Sequence, residues 1–307
     1  MSQNRKNHYN EYSTTQKNIQ EIMIKQYKKR VYINKLVTII SIACVIFAVI
    51  PLGSILFEVV KNGVSAISME FLIEPPGSIG SGKGGIGPAI QGTLIVVGLA
   101  SLIAVPVGIF TGVYLSEYTQ SNNKFAFAVR FFNDVLTGLP SIIVGIVGYI
   151  TIVITIGSFS VLAGAFSLSL IMIPLVSRIT EETLKIVPNS IREAAHSLGI
   201  PKWRISLFIV LKTAMSGVLT GIVLSIARIA GETAPLIMTI LGTSLFFSSF
   251  TGPVDALPLR IWRLASQPYE SAHAQGWGAA LILILIVLIL NIGLRLLSQR
   301  NNIAYKT

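Results

Sequence analysis

From Val135 to Ser177 the chain runs 43 residues without a charged side chain. A helix needs about 20 mostly apolar residues to cross a bilayer. This run is twice what one crossing uses, so it must turn back on itself. Gly157-Ser158-Phe159-Ser160 has the composition of a turn, which predicts spans over 135–156 and 161–177. Other long apolar runs predict spans near 36–58, 91–117 and 277–297, and a further run near 213–241 is interrupted by Arg228 and Glu232. Charged residues make up 12% of the chain, against about 25% in soluble domains. The expected fold class is an all-α membrane protein of about six transmembrane helices. A polar, basic tail, 1–32, precedes a transmembrane domain, 33–300, whose longest connection is the loop 178–212.

The distribution of lysine and arginine assigns the sides. An even number of spans places both termini together, and with the N-terminus in the cytoplasm 19 cationic residues fall inside and 4 outside, with Arg228 in the membrane. Cytoplasmic segments carry this excess. Topology thus accounts for most of the net charge of +11, and no nucleic-acid partner is needed; lipid is the expected surrounding. The first apolar run comes too late and is too long for a cleaved signal peptide, so the tail is expected to be cytoplasmic and flexible. Cys44 is the lone cysteine and the three histidines share no ligand spacing, so neither a disulfide framework nor a metal site is expected.

Residues 77–85, GSIGSGKGG, approach the phosphate-loop pattern through Gly77, Gly82 and Lys83. Three observations argue against a nucleotide site. The stretch falls outside, Gly84 stands where a hydroxyl should meet magnesium, and further glycines follow where a helix should begin. A flexible external loop is the expectation.

The segment 178–212 carries more local structure than a connection needs. Ser190-x-x-Glu193 has the form of a capping box. Ile191, Ala194, Ala195 and Leu198 share one face, Gly199 is a stop signal, and Pro201 suits the start of a second helix. So short a helix is not stable alone and must pack on its own protein or in a partner's groove.

Glu193-Ala194-Ala195, Gly199, Ile209 and Leu211 resemble the EAA loop of permease subunits in bacterial binding-protein-dependent ABC importers. Lys212 stands where that pattern usually has proline. Three further segments resemble the phosphate permeases of that family: Arg178-Ile-Thr-Glu181-Glu182, Asp134 through Gly138-Leu-Pro140-Ser141, and Ala227-Arg228-Ile-Ala-Gly231-Glu232-Thr233-Ala-Pro235. So does Gly84 to Thr93, and the resemblance extends over about residues 85–300. It implies a type I ABC importer permease fold in the bacterial cytoplasmic membrane. It also implies docking of an ATPase at Glu193, Ala194, Ala195 and Gly199, and the following partners: a second permease subunit, a dimeric ATPase inside and a phosphate-binding protein outside. On this reading ATP and magnesium belong to the ATPase, and this chain binds no cofactor and is not an enzyme.

Arg228 and Glu232, at i and i+4 in the fifth span, share a face and can pair, and ionisable groups inside a membrane are costly and commonly functional. They are therefore candidates for the substrate path, with Thr233; the alternative is a structural ion pair. An arginine fork can donate two hydrogen bonds to an oxyanion. Arg178, Glu181 and Glu182 are either inner-mouth charges or a solvated salt-bridge set. Rival readings are the paired permease of the same importers, a permease for another oxyanion, a secondary transporter or channel without an ATPase, and a membrane scaffold.

Overall fold

The computed structural model describes residues 2–78, 80, 82–119 and 123–303, with side chains described over 26–293 of that range and at Met23 and Leu296. Ile79 and Ser81 of the glycine-rich stretch lie outside the described residues, as do the side chains of Arg5, Lys6, Lys17, Lys25, Arg295, Arg300 and Lys306.

The chain divides into two units, Met1–Glu58 and Val59–Thr307. The first helix, α1 (Ser2–Gly63), begins in the tail and continues through the first apolar run. The tail is therefore helical rather than irregular, and α1 runs without a break across 32–33. No glycine or proline precedes Pro51, so nothing in the local chemistry separates tail from span. Every residue from 26 to 57 is exposed.

The second unit contains α2 (Met69–Ile73), α3 (Gly87–Tyr118), α4 (Lys124–Gly138), α5 (Ser141–Ile156), α6 (Val161–Ile186) and α7 (Asn189–Ser197). It continues with α8 (Lys202–Ala230), α9 (Ala234–Thr239), α10 (Leu257–Ala265) and α11 (Glu270–Ile303). The most extensive packing joins α3 to α6, where the fully buried Ala100, Ala104, Leu168 and Met172 belong to one apolar cluster. Small residues let the helix backbones approach where no hydrophobic drive operates within lipid.

Five helices among the described residues are long and apolar enough to cross a membrane, and a bent pair raises the number to six. That pair, α4 and α5, replaces the expected continuous span over 135–156. It bends by 105° at Leu139-Pro140, because proline donates no amide hydrogen and pushes the residue before it out of helical geometry. Leu139 has ψ of 137°. Alone, the 16 residues of α5 rise about 24 Å, less than the roughly 30 Å hydrocarbon core. The reversal between α5 and α6 falls at Gly157, whose φ is 78°, and the Ser160 side chain caps α6 by accepting from the Ala163 amide at 3.2 Å. Helix α6 continues to Ile186 rather than 177, because its last turns bury Thr180, Glu181 and Leu184 against the body.

Candidate functional site

The helix α7 sits beyond the end of α6 and is closed by its expected stop. Gly199 has φ of 73°, and its amide donates to His196 O at 2.9 Å while Ile200 N donates to Ala195 O. This doubled closure is the Schellman arrangement, which needs a left-handed residue at Gly199. The expected capping box does not form. Pro188 is the N-cap and Ser190 already lies within the helix, since proline's fixed φ starts the turn earlier. Glu193 is therefore released from capping. It is exposed and its carboxylate has no partner among the described residues.

The apolar residues of α7 divide between two faces. Ala195 is buried and Ile191 packs beside it on Leu184, Ile205 and Val210. Ala194 and Glu193 are exposed, and Leu198 is 79% exposed. The inner face fixes the helix to the body, and the outer one presents an unburied leucine beside a carboxylate.

Arg192 holds that geometry. Its Nη2 donates to Glu117 Oε1 at 2.7 Å and to Leu184 O at 3.0 Å, and its Nη1 donates to Val187 O at 2.7 Å. One guanidinium thereby satisfies carbonyls at the end of α6 and pairs with the last turn of α3. Glu117 is 5% and Arg192 19% exposed at the side chain, so the pair is largely shielded from water. Sequence reading missed it, although Glu117 is the first charge after the uncharged run that ends at Ser116.

Arg178, Glu181 and Glu182 do not act alike. Arg178 donates to Glu182 at 3.1 Å and lies 3.5 Å from Asp134, with all three solvated. Glu181 is buried, accepting from Arg130 at 3.0 Å and from Lys185 at 2.6 Å. These groups, with Asn133 and Thr137, line a polar cleft of about 200 Å³ between α4 and α6. Sequence reading does not single out Arg130, Asp134 or Lys185 as members of this cleft: Arg130 and Asp134 come from α4, which tertiary packing lays against α6, and Lys185 stands one turn after Glu181 on α6 itself.

The fifth span does not continue to 241. It ends at Ala230, and Gly231 N and Glu232 N close short turns on Arg228 O and Ile229 O, each at 3.2 Å. Pro235 then occupies the first turn of α9, where its missing amide hydrogen costs nothing. Because of this break, Glu232 leaves the helical face that holds Arg228, and the expected i,i+4 pair is not made. Arg228 is exposed in the last turn of α8, Glu232 and Thr233 are half-buried, and no side-chain partner engages any of the three among the described residues. Helix α9 packs on α5, so the break in the fifth span adjoins the broken third one. A Cβ on Gly145 would lie 2.7 Å from Pro235 Cα. Within a bilayer, interrupted helices are tolerated where they are buried in protein or line a water-filled cavity.

Residues 104–303 match the family model of the binding-protein-dependent transport system inner membrane component. The chain is 40% identical over 263 residues to the phosphate transport system permease protein PstA of Pasteurella multocida, covering 86% of this chain and 93% of that one. It is 41% identical over 262 residues to the protein of the same description from Yersinia pestis, covering 84% and 88%. Among solved structures, a bacterial alginate ABC transporter in complex with an alginate-bound periplasmic protein aligns with a TM-score of 0.64 at 16% identity, over 89% of this chain and 96% of that chain. The fold is that of a type I ABC importer permease, a multi-pass protein of the cytoplasmic membrane. Within that class, the chain belongs to the PstA family of phosphate transport system permease proteins.

Proposed function

We propose that this chain forms half of the translocation path of an ATP-driven importer of inorganic phosphate, and that Arg228 lies on that path. A PstC-like permease would supply the other half, a PstB-like ATPase dimer would bind ATP and magnesium inside, and a PstS-like protein would deliver phosphate outside. The observation that carries the path assignment is the break after Ala230. It leaves the Arg228 guanidinium without a partner among the described residues beside two interrupted helices, with Glu232 and Thr233 in the turn that follows. A planar fork can hold phosphate oxygens through paired hydrogen bonds. Glu232 nearby weakens the hold on an anion enough for release, which transport needs as much as binding.

The outer face of α7 is the proposed ATPase contact. Leu198 and Ala194 offer apolar surface, Glu193 offers charge, and the Gly199 closure sets the end of the helix. Closure of the ATPase would push α7, and the Arg192–Glu117 pair would carry that motion into α3 and α6.

The test is uptake of radiolabelled phosphate by proteoliposomes holding the assembled transporter. Arg228→Gln should lower ATP-dependent uptake by at least tenfold while the ATPase still copurifies. Unchanged uptake at equal assembly would remove Arg228 from the path.

A further inference from the structure

Gly77, Ser78, Gly80, Gly82 and Gly85 form one wall of a cleft of about 370 Å³ at the outer end of the second unit. Opposite it stand Arg260 and Arg263 of α10, with Ser271 and Gln275 from the first turns of α11 and Ser244 from the preceding loop. Among the described residues, no carboxylate lines the cleft. We infer that this cleft is a binding site for a tetrahedral inorganic oxyanion, separate from Arg228.

Both guanidiniums are held in place and keep donors to spare. Arg260 uses Nε on Asp255 at 2.6 Å and Nη2 on Asp255 and on Thr243 O at 3.2 Å, leaving Nη1 unengaged among the described hydrogen bonds. Arg263 uses Nη2 on Leu241 O, leaving Nε and Nη1. Leu241 carries φ of 62°, a conformation unfavourable for a non-glycine residue that persists only where the surroundings impose it. The carbonyl that holds Arg263 is thus itself fixed. Burial pushes the Asp255 carboxyl above its ordinary range, while Arg260 and Arg263 beside it work the other way. Asp255 pairs with Arg260, whereas Arg263 makes no ion pair among the described ones, so its charge gives the cleft a positive character.

The glycine wall suits a small ligand. Gly80 and Gly82, which line the cleft, adopt positive φ, and with no side chain at either the backbone approaches whatever occupies it. Ser271 bonds Gly80 O at 3.2 Å, and Gln275 lies 3.5 Å from the Lys83 and Gly84 carbonyls. A nucleotide does not fit this chemistry, since Gly84, Gly85 and Ile86 separate Lys83 from the first residue of α3 and Gly84 offers no hydroxyl where magnesium would need one.

Position gives the site its use. Gly85 and Ile86, at the start of α3, border the cleft, whereas Glu117 and α7 lie at the other end of the same 32-residue helix. That separation is about 48 Å. The cleft therefore faces the side opposite the ATPase contact, and it would hold an anion before entry. The role as an entry site rests on the importer reading; anion binding does not.

Equilibrium binding of labelled inorganic phosphate to the purified transporter complex in nanodiscs, without binding protein and with Arg228→Gln in the background, separates the two. Binding should persist in that background, weaken at least tenfold in Arg263→Gln and in Ser271→Asp, and fall with added sulfate. Ser271→Asp leaves the Arg263–Leu241 bond untouched, and the copurified ATPase reports folding in each case. Binding that is absent from the background complex, or unchanged in both variants, would overturn the site. ATP-driven uptake in the parent complex would remain the separate test of the importer reading.

Discussion

Arg192 of α7 and Glu117 at the end of α3 meet at 2.7 Å through a largely buried ion pair, and no other ion pair among the described residues joins α7 to a membrane-spanning helix. Breaking such a pair leaves an uncompensated charge and costs about 3 kcal/mol, the low end for a buried pair. Glu117→Gln and Arg192→Gln should each lower the thermal midpoint of the assembled complex and reduce phosphate moved per ATP hydrolysed. A double-mutant cycle should return a coupling of about 1–3 kcal/mol. Additive effects would mean that the two residues act independently.

Leu198 and Gly199 test the outer face of α7 in different ways. Leu198 is exposed, so Leu198→Glu should leave folding unchanged and abolish ATPase copurification. Gly199 has open space where a Cβ would go, so Gly199→Ala meets only the cost of left-handed backbone, about 1 kcal/mol. A partial loss of ATPase retention, roughly fivefold, is expected. Full retention by Leu198→Glu in a pull-down would show that the ATPase docks elsewhere.

Gly145 permits the packing of α5 against α9. Its added Cβ would press on the backbone at Pro235, which cannot rotate away as a side chain could. Gly145→Val should destabilise by about 1–3 kcal/mol and abolish uptake, whereas Gly138→Ala, with nothing within 4 Å, should be tolerated. Thermal unfolding and uptake on the same preparations distinguish these outcomes.

Glu181 and Glu182 are neighbours in sequence with opposite expectations. Glu181→Gln removes the acceptor of both Arg130 and Lys185 from a buried position. It should cost about 1–2 kcal/mol, less than a fully buried pair because both cations remain solvated. Glu182→Gln removes only an exposed contact and should stay within about 0.5 kcal/mol. Equal shifts in thermal midpoint would contradict the distinction.

Much of the site was legible locally. Gly199 could be read as a helix stop because a left-handed closure favours glycine whatever surrounds it. The reversal at Gly157 followed from length, since 43 uncharged residues exceed one crossing. The capping box was misread because Ser190 and Glu193 satisfy the pattern equally well inside a helix whose cap, Pro188, stands two residues earlier. The Arg228–Glu232 pair was misread because i,i+4 spacing presupposes an unbroken helix, and Pro235 starts a new one.

Apolar run lengths, cation distribution and the EAA and G-E-T-A-P segments determined an all-helical permease, its orientation and its family from the sequence alone. These signals are short-range or additive, so they survive without coordinates. Tertiary structure decided the rest: that Arg192 reaches Glu117 across 75 positions, that Glu181 is buried while Glu182 is not, and that Gly80 and Gly82 share a cleft with two arginines some 180 residues away. Side-chain partners so distant in the chain are chosen by which helices pack and where they break. Neither is written in any one segment.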